Sequence, residues 1–138
     1  MIIVSACLAG FKCNYKGKCK SCPEVEELVR SGKAIPVCPE QLGGMSTPRE
    51  AAEQRDGGFF TKNGKDVTFE FEKGAQEVVR LAKVVGCSRA ILKARSPSCG
   101  SLKVYDGTFS GRLVDGDGVL SHALKKIGVE VMGEEDFK

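Results

Sequence analysis

The chain has no tryptophan, a single histidine, and only two tyrosines and seven phenylalanines scattered over 138 residues. A base-stacking platform built from clustered aromatic faces is therefore disfavoured. The one histidine, His122, falls on a different element from Cys99, which leaves a cysteine-dependent hydrolase without its usual partner. His122 is read instead as exposed or structurally satisfied. No apolar segment is long enough to span a bilayer. No basic region precedes the first hydrophobic run, so that run reads as a strand and not as a signal peptide. Neither the Walker nor the dinucleotide glycine fingerprint occurs, which disfavours a nucleotide cofactor. The net charge of +3 has no run of consecutive basic residues behind it. It permits a polyanionic partner such as RNA without arguing for one.

Cysteine, by contrast, is plentiful: there are seven. The expected location is cytoplasmic, where disulfide scaffolds are rare, so these thiols read as ligands or reactive groups, and an odd count leaves at least one unpaired. The length suits one domain, residues 1–138, large enough for a hydrophobic core that needs no covalent staple.

In order, Ile2-Ile3-Val4 reads as a strand buried on both faces. An irregular loop follows over residues 11–20, with Cys13, Cys19 and Cys22 in a C-x5-C-x2-C spacing. Ser21 and Glu24 match a capping box for a helix whose apolar face is Val25, Leu28 and Val29 and which ends at Gly32. Residues 34–37 form the next strand, and a strand, helix and strand of these lengths make a parallel crossover. Residues 38–44 read as irregular, residues 51–54 as one helical turn, and residues 66–68 as a short extended link. The longest helix is expected over residues 69–85, where Phe71, Ala75, Val78, Ala82 and Val85 recur at helical spacing. Cys87 reads as a small buried hydrophobe. Residues 90–92 form a strand, residues 104–113 a small hairpin over the loop before it, residues 119–127 a helix, and residues 129–132 the last strand. The expected fold is α/β, a compact three-layer Rossmann-like domain with a mostly parallel sheet.

Connections leaving the carboxyl ends of parallel strands share one edge, where ligands bind. Cys7 and Cys38 each follow a strand closely, and Cys99 lies in the loop leaving a third, within Ser96-Pro97-Ser98-Cys99-Gly100. Basic neighbours Lys93, Arg95 and Lys103 favour thiolate at Cys99. Three thiolates favour a soft metal or an iron-sulfur cluster over calcium or magnesium, with zinc still open. Glu40 could transfer protons and Ser98 could orient water, although each could equally serve the backbone. Lys93, Arg95 and Arg49 could balance the thiolates or hold an anion, or simply be solvated surface. Gly10, Gly43, Gly44 and Gly100 could admit close backbone approach, or merely turn the chain.

Taken together, Val4-Ser5-Ala6-Cys7-Leu8, Val37-Cys38-Pro39-Glu40 with Gly43-Gly44, Thr47-Pro48-Arg49, Lys93-Ala94-Arg95-Ser96-Pro97-Ser98-Cys99-Gly100 and Tyr105-Asp106-Gly107-Thr108-Phe109-Ser110-Gly111 resemble the thiouracil desulfidase, or TudS-like, family over nearly the whole chain. The resemblance implies a [4Fe-4S] cluster held by Cys7, Cys38 and Cys99. It further implies that a thiocarbonyl sulfur binds the iron lacking a protein ligand and is replaced by oxygen from water without net redox change. Glu40 becomes the acid/base candidate and Ser98 the positioning candidate, with Ser5, Arg49, Lys93 and Arg95 as substrate contacts. The substrate would be a thiolated nucleobase or related small molecule, or a thiolated tRNA. Cys13, Cys19 and Cys22 are additional to the three-cysteine site. They could bind zinc, exchange disulfides, bring a further thiol or a fourth ligand to the cluster, or share no role. The alternative reading is a noncatalytic zinc or iron-sulfur binding protein.

Overall fold

A computed structural model of the chain describes residues 1–137; Lys138 lies outside the described residues. The first strand, β1 (Ile2–Ser5), leads into a 3-10 turn at Ala6–Ala9, helix α1 (Pro23–Arg30) and strand β2 (Ala34–Val37). A one-turn helix α2 (Pro39–Leu42) and two short strands, β3 (Ala52–Arg55) and β4 (Gly58–Thr61), precede the long helix α3 (Thr68–Val85). Strand β5 (Arg89–Leu92), a second pair of short strands, β6 (Lys103–Tyr105) and β7 (Leu113–Asp115), helix α4 (Val119–Lys126), strand β8 (Glu130–Gly133) and a terminal turn α5 (Glu134–Phe137) complete the order.

The central sheet runs β2-β1-β5-β8, and every pairing in it is parallel. Alternation along β1 assigns its two faces. Ile3 packs with Val78, Ala82, Leu120 and Leu124 beneath α3 and α4, whereas Val4 packs with Val25 of α1 and, more peripherally, Phe137 of α5. Helices therefore cover both faces, as a parallel sheet requires, and the expected three-layer, Rossmann-like arrangement is what forms. The chain steps outward from β1 to β2 and then crosses back to β5. The strand order thus reverses between β1 and β5, where parallel α/β sheets open a crevice at their carboxyl edge.

Three local expectations give way. Residues 51–54 are not helical: β3 pairs antiparallel with β4 around Asp56 and Gly57, whose φ angles of 49° and 79° fit a two-residue hairpin turn. Cross-strand pairing overrides the helix preference of Ala51 and Ala52. Residues 39–42 are helical, because Pro39 at the first helical position supplies a preset φ where no amide donor is needed. The capping box does not form. Pro23 takes the first position of α1, so the cap falls on Cys22, whose Sγ donates to Glu24 Oε2 at 3.2 Å, while Ser21 Oγ faces Cys19 Sγ at 3.7 Å.

Gly74 sits inside α3 because α2 lies against its backbone. A Cβ at Gly74 would stand 1.8 Å from Pro39 O, and one at Gly43 would stand 1.9 Å from Glu70 O. We expect Gly74→Ala to destabilise the protein by about 1 to 3 kcal/mol through overpacking, despite the better helix propensity of alanine. Urea unfolding measures the loss; an unchanged or raised midpoint would contradict so close a crossing.

Candidate functional site

Five of the seven cysteines, Cys7, Cys13, Cys19, Cys38 and Cys99, line one cavity of about 700 Å³ at the carboxyl edge of the sheet. Cys7 stands in the 3-10 turn after β1, Cys38 at the start of α2 after β2, and Cys99 in the loop after β5. Burial pushes the Cys7 thiol up to about 12, with the Cys99 sulfur adding to the rise and Lys93 opposing it. Burial likewise pushes Cys99 up to about 11 against hydrogen bonds from Ser5 and Ser98. Cys38 moves the other way. A hydrogen bond from the Cys13 thiol, the Gln41 amide and the Arg49 guanidinium hold it below the ordinary thiol range, outweighing its burial.

The backbone around Cys99 is fixed from several sides. The opening amides of α4 donate to the loop before it, Val119 N to Pro97 O at 3.0 Å and Leu120 N to Ser98 O at 2.8 Å, so donors that a helix start leaves free are satisfied here. Ser121 Oγ donates to Cys99 O at 2.7 Å, and Cys99 N donates to Ser96 Oγ at 2.9 Å. Ser5 Oγ accepts from Lys93 N at 2.9 Å and donates to Cys99 Sγ at 3.3 Å.

Glu40 and Ser98 meet inside the same cavity. Ser98 Oγ donates to Glu40 Oε2 at 2.8 Å and stands 3.7 Å from Cys99 Sγ. Arg49 Nε donates to Glu40 Oε1 at 2.9 Å, Nη1 to Ser46 O and Thr47 Oγ1, and Nη2 to Cys13 O at 3.0 Å. All three nitrogens of Arg49 are thus engaged by the protein. Lys93 faces the cavity and pairs with Glu134 at 3.3 Å, and Arg95, at its rim, pairs with Glu135 at 2.8 Å.

Of the additional thiols, Cys13 joins the site and Cys19 lies on its wall, whereas Cys22 is buried under α1 among Val4, Leu8 and Val25. Cys87, expected to be buried, is instead half-buried, packing against the edge of the α3 and α4 core with its thiol donating to Arg89 O at 3.1 Å, and His122 is exposed on α4 away from the cavity.

Three further contributors had no distinctive sequence signal. Glu53, buried, accepts from Gly107 N at 3.0 Å and Phe109 N at 3.1 Å and so ties the β3–β4 hairpin to the loop over the site. Glu134 accepts from Ala94 N at 2.7 Å and anchors the base of the Cys99 loop. Lys16, Lys18 and Lys20, from the loop before α1, and Lys62, from the turn after β4, reach the cavity and make its wall basic. Only the fold brings Lys62 to the other three.

Among the described residues, no three His, Cys, Asp or Glu side chains close around a single metal ion. The donor set is sulfur alone, from three separate strand ends around a roomy cavity. That chemistry fits an iron-sulfur cluster, which cysteine thiolates hold, better than an isolated hard cation.

A parallel α/β sheet with a thiol-lined crevice at its switch point, and a carboxylate and hydroxyl within it, defines a Rossmann-like domain with a cysteine-based site. The chain belongs to the 2-thiouracil desulfurase family, whose pattern matches residues 2–136. An uncharacterized protein of Bacillus subtilis strain 168, YbbK, is 42% identical over 147 residues, covering 99% of this chain and 97% of the relative. The solved structure of the [4Fe-4S]-dependent thiouracil desulfidase TudS superposes with a TM-score of 0.93 at 39% identity, covering 98% of this chain and 91% of that one.

The opposed shifts of the thiols predict an order of reaction. In cluster-free protein at neutral pH, iodoacetamide should modify Cys38 well before Cys7 or Cys99. Raising the pH should accelerate Cys7 until about 12 while leaving Cys38, already thiolate, almost unchanged. Peptide mass spectrometry after timed labelling reads the order, and faster labelling of Cys7 than of Cys38 at neutral pH would refute it.

Proposed function

We propose that the chain, acting as one catalytic domain, replaces the sulfur of a thiolated pyrimidine or related thioamide with oxygen from water, without net oxidation or reduction. The carrying observation is the Glu40–Ser98 hydrogen bond inside a cavity that three strand-end cysteines share. A store of metal needs no such couple, so this pair favours catalysis over the noncatalytic reading. Cys7, Cys38 and Cys99 would hold the [4Fe-4S] cluster, which when bound supplies an iron without a protein ligand as Lewis acid for the thiocarbonyl sulfur.

The chain's own residues carry the protons. Glu40 Oε2 accepts one from water as its oxygen adds to the thiocarbonyl carbon, and the carboxyl returns it as the carbon–sulfur bond breaks. One water enters and hydrogen sulfide leaves, so atoms and electrons balance. Arg49 fixes the other carboxylate oxygen, leaving Oε2 free to exchange its bond from Ser98 for one from water. Ser98 positions that water, while Lys93, Arg95 and the Ser5 hydroxyl shape the electrostatics around Cys99. The basic wall suits a base that carries phosphate, either a nucleotide or a thiolated tRNA end, more than a neutral free base. No helix among the described residues is long and apolar enough to cross a membrane, and a thiol-held cluster suits the reducing cytoplasm.

Anaerobic protein is expected to contain four irons and four sulfides per chain, and Cys7→Ala, Cys38→Ala and Cys99→Ala to lose them. Glu40→Gln should keep the iron and lower sulfide release from 2-thiouracil and from 4-thiouridine monophosphate about 100-fold or more. A fully loaded protein that releases neither sulfide nor oxo product from thiolated bases, nucleosides or nucleotides would return the reading to a binding protein.

A further inference from the structure

Glu53 serves the fold with only one of its two carboxylate oxygens. Oε1 accepts from Gly107 N at 3.0 Å and from Phe109 N at 3.1 Å, and among the described residues nothing donates to Oε2. The residue is only 9% exposed and lines the cavity in which Glu40 and Ser98 meet. Oε2 is not sealed from solvent, so the little exposure that remains opens that oxygen to the cavity. The carboxylate is also held still. A Cβ at Gly107 would stand 2.7 Å from Gln54 O, so the loop that Glu53 grips lies main chain against main chain on β3.

Holding two amides explains an oxygen at position 53 but not a carboxylate, because the carbonyl of a glutamine would accept the same two bonds. A nearly buried carboxylate with an unmet acceptor is costly, and a donor brought by a ligand offsets that cost. Phe109, whose amide the same carboxylate holds, also lines the cavity. An acceptor-only oxygen beside an apolar ring suits a planar heterocycle with an N–H on its edge.

We propose that Glu53 is a specificity-determining residue whose Oε2 accepts a hydrogen bond from the ring N3–H of a uracil-type base, selecting thiouracils over thiocytosines. The proposal rests on the reading that a thiolated pyrimidine enters this cavity. In a uracil-type ring N3 carries a hydrogen, with or without a ribose on N1. In a cytosine-type ring N3 is itself an acceptor and would meet the carboxylate lone pair to lone pair, leaving Oε2 unpaired.

Two experiments test this. In cluster-loaded protein, 2-thiouridine and 2-thiocytidine carry sulfur on the same carbon and differ in the donor or acceptor at N3. Wild type should favour 2-thiouridine about 10- to 100-fold in kcat/KM, and 3-methyl-2-thiouridine should fare as badly as 2-thiocytidine. Glu53→Gln keeps the oxygen that holds Gly107 and Phe109 and turns Oε2 into a donor, so it should lose or reverse the preference. Calorimetric binding of sulfur-free nucleotides judges Glu53 even if no thiolated base turns over. Wild type should bind uridine 5′-monophosphate about 10-fold or more tightly than cytidine or 3-methyluridine 5′-monophosphate, and Glu53→Gln should not. Equal binding of all three by wild type, no binding of any, or a glutamine variant that keeps the wild-type preference would overturn the proposal. So would loss of binding by 2′,3′-dideoxyuridine 5′-monophosphate, which would move the contact to the ribose hydroxyls. Absence of sulfide release together with the uridine preference would sink the reaction and leave the role of Glu53 standing.

Discussion

The level alignment of three parallel strands is the constraint on which the site depends. Ser5 pairs in register with Val37, and Val4 with Ile91, so β1, β2 and β5 end at nearly the same height. Parallel pairing forces each connection to leave by the same edge and return by a covering helix. Cysteines separated by 31 and 61 residues of sequence are consequently delivered to one crevice. A one-residue slip in any of these pairings would reverse which side chains face α3 and α4.

Backbone contacts then hold the chemistry in place. The Cys99 loop is gripped by the amides at the start of α4, and the turn bearing Cys38 and Glu40 rests on α3 through two glycines that meet main chain to main chain. The buried Arg49 joins the second of these supports to the loop that carries Cys13. Hydroxyls from Ser5 and Ser98 complete the surroundings of Cys99. Most of these contacts would survive a change of side chain at position 99, so loop geometry and ligand identity are set by separate parts of the sequence.

The sheet and its helices were legible because their signals are periodic. Ile2 to Val4, Ala34 to Val37 and Ala90 to Leu92 are short apolar runs, and Phe71, Ala75, Val78 and Ala82 mark one helical face. The three cysteines at strand ends were legible as candidates for the same reason, together with Glu40 and Ser98 beside them. What could not be read depends on contacts between distant segments. The β3–β4 hairpin follows from cross-strand pairing that Ala51 and Ala52 do not advertise, although Asp56-Gly57 carried its turn signal. Pro23 displaced the cap expected at Ser21. The approach of Cys13 to Cys38 spans 25 residues and is mediated by Arg49 from a third segment. Glu53 and Glu134 resemble any surface carboxylate until the loops they hold are folded against them.

Glu53 gives the enclosure two kinds of wall. The floor is the four-stranded sheet, whose amides are paired on both sides in its interior and covered by helices. The roof consists of two-stranded hairpins that bury one large apolar side chain each, Phe59 and Val104, and are joined across their ends by one carboxylate that accepts two amides. Amide hydrogens in the floor therefore exchange only through opening that approaches global unfolding, whereas those of the roof exchange through a smaller local event. Because both hairpin segments are tied to the same carboxylate, that event is concerted, and the cavity has a rigid base beneath a cover that loosens as a unit.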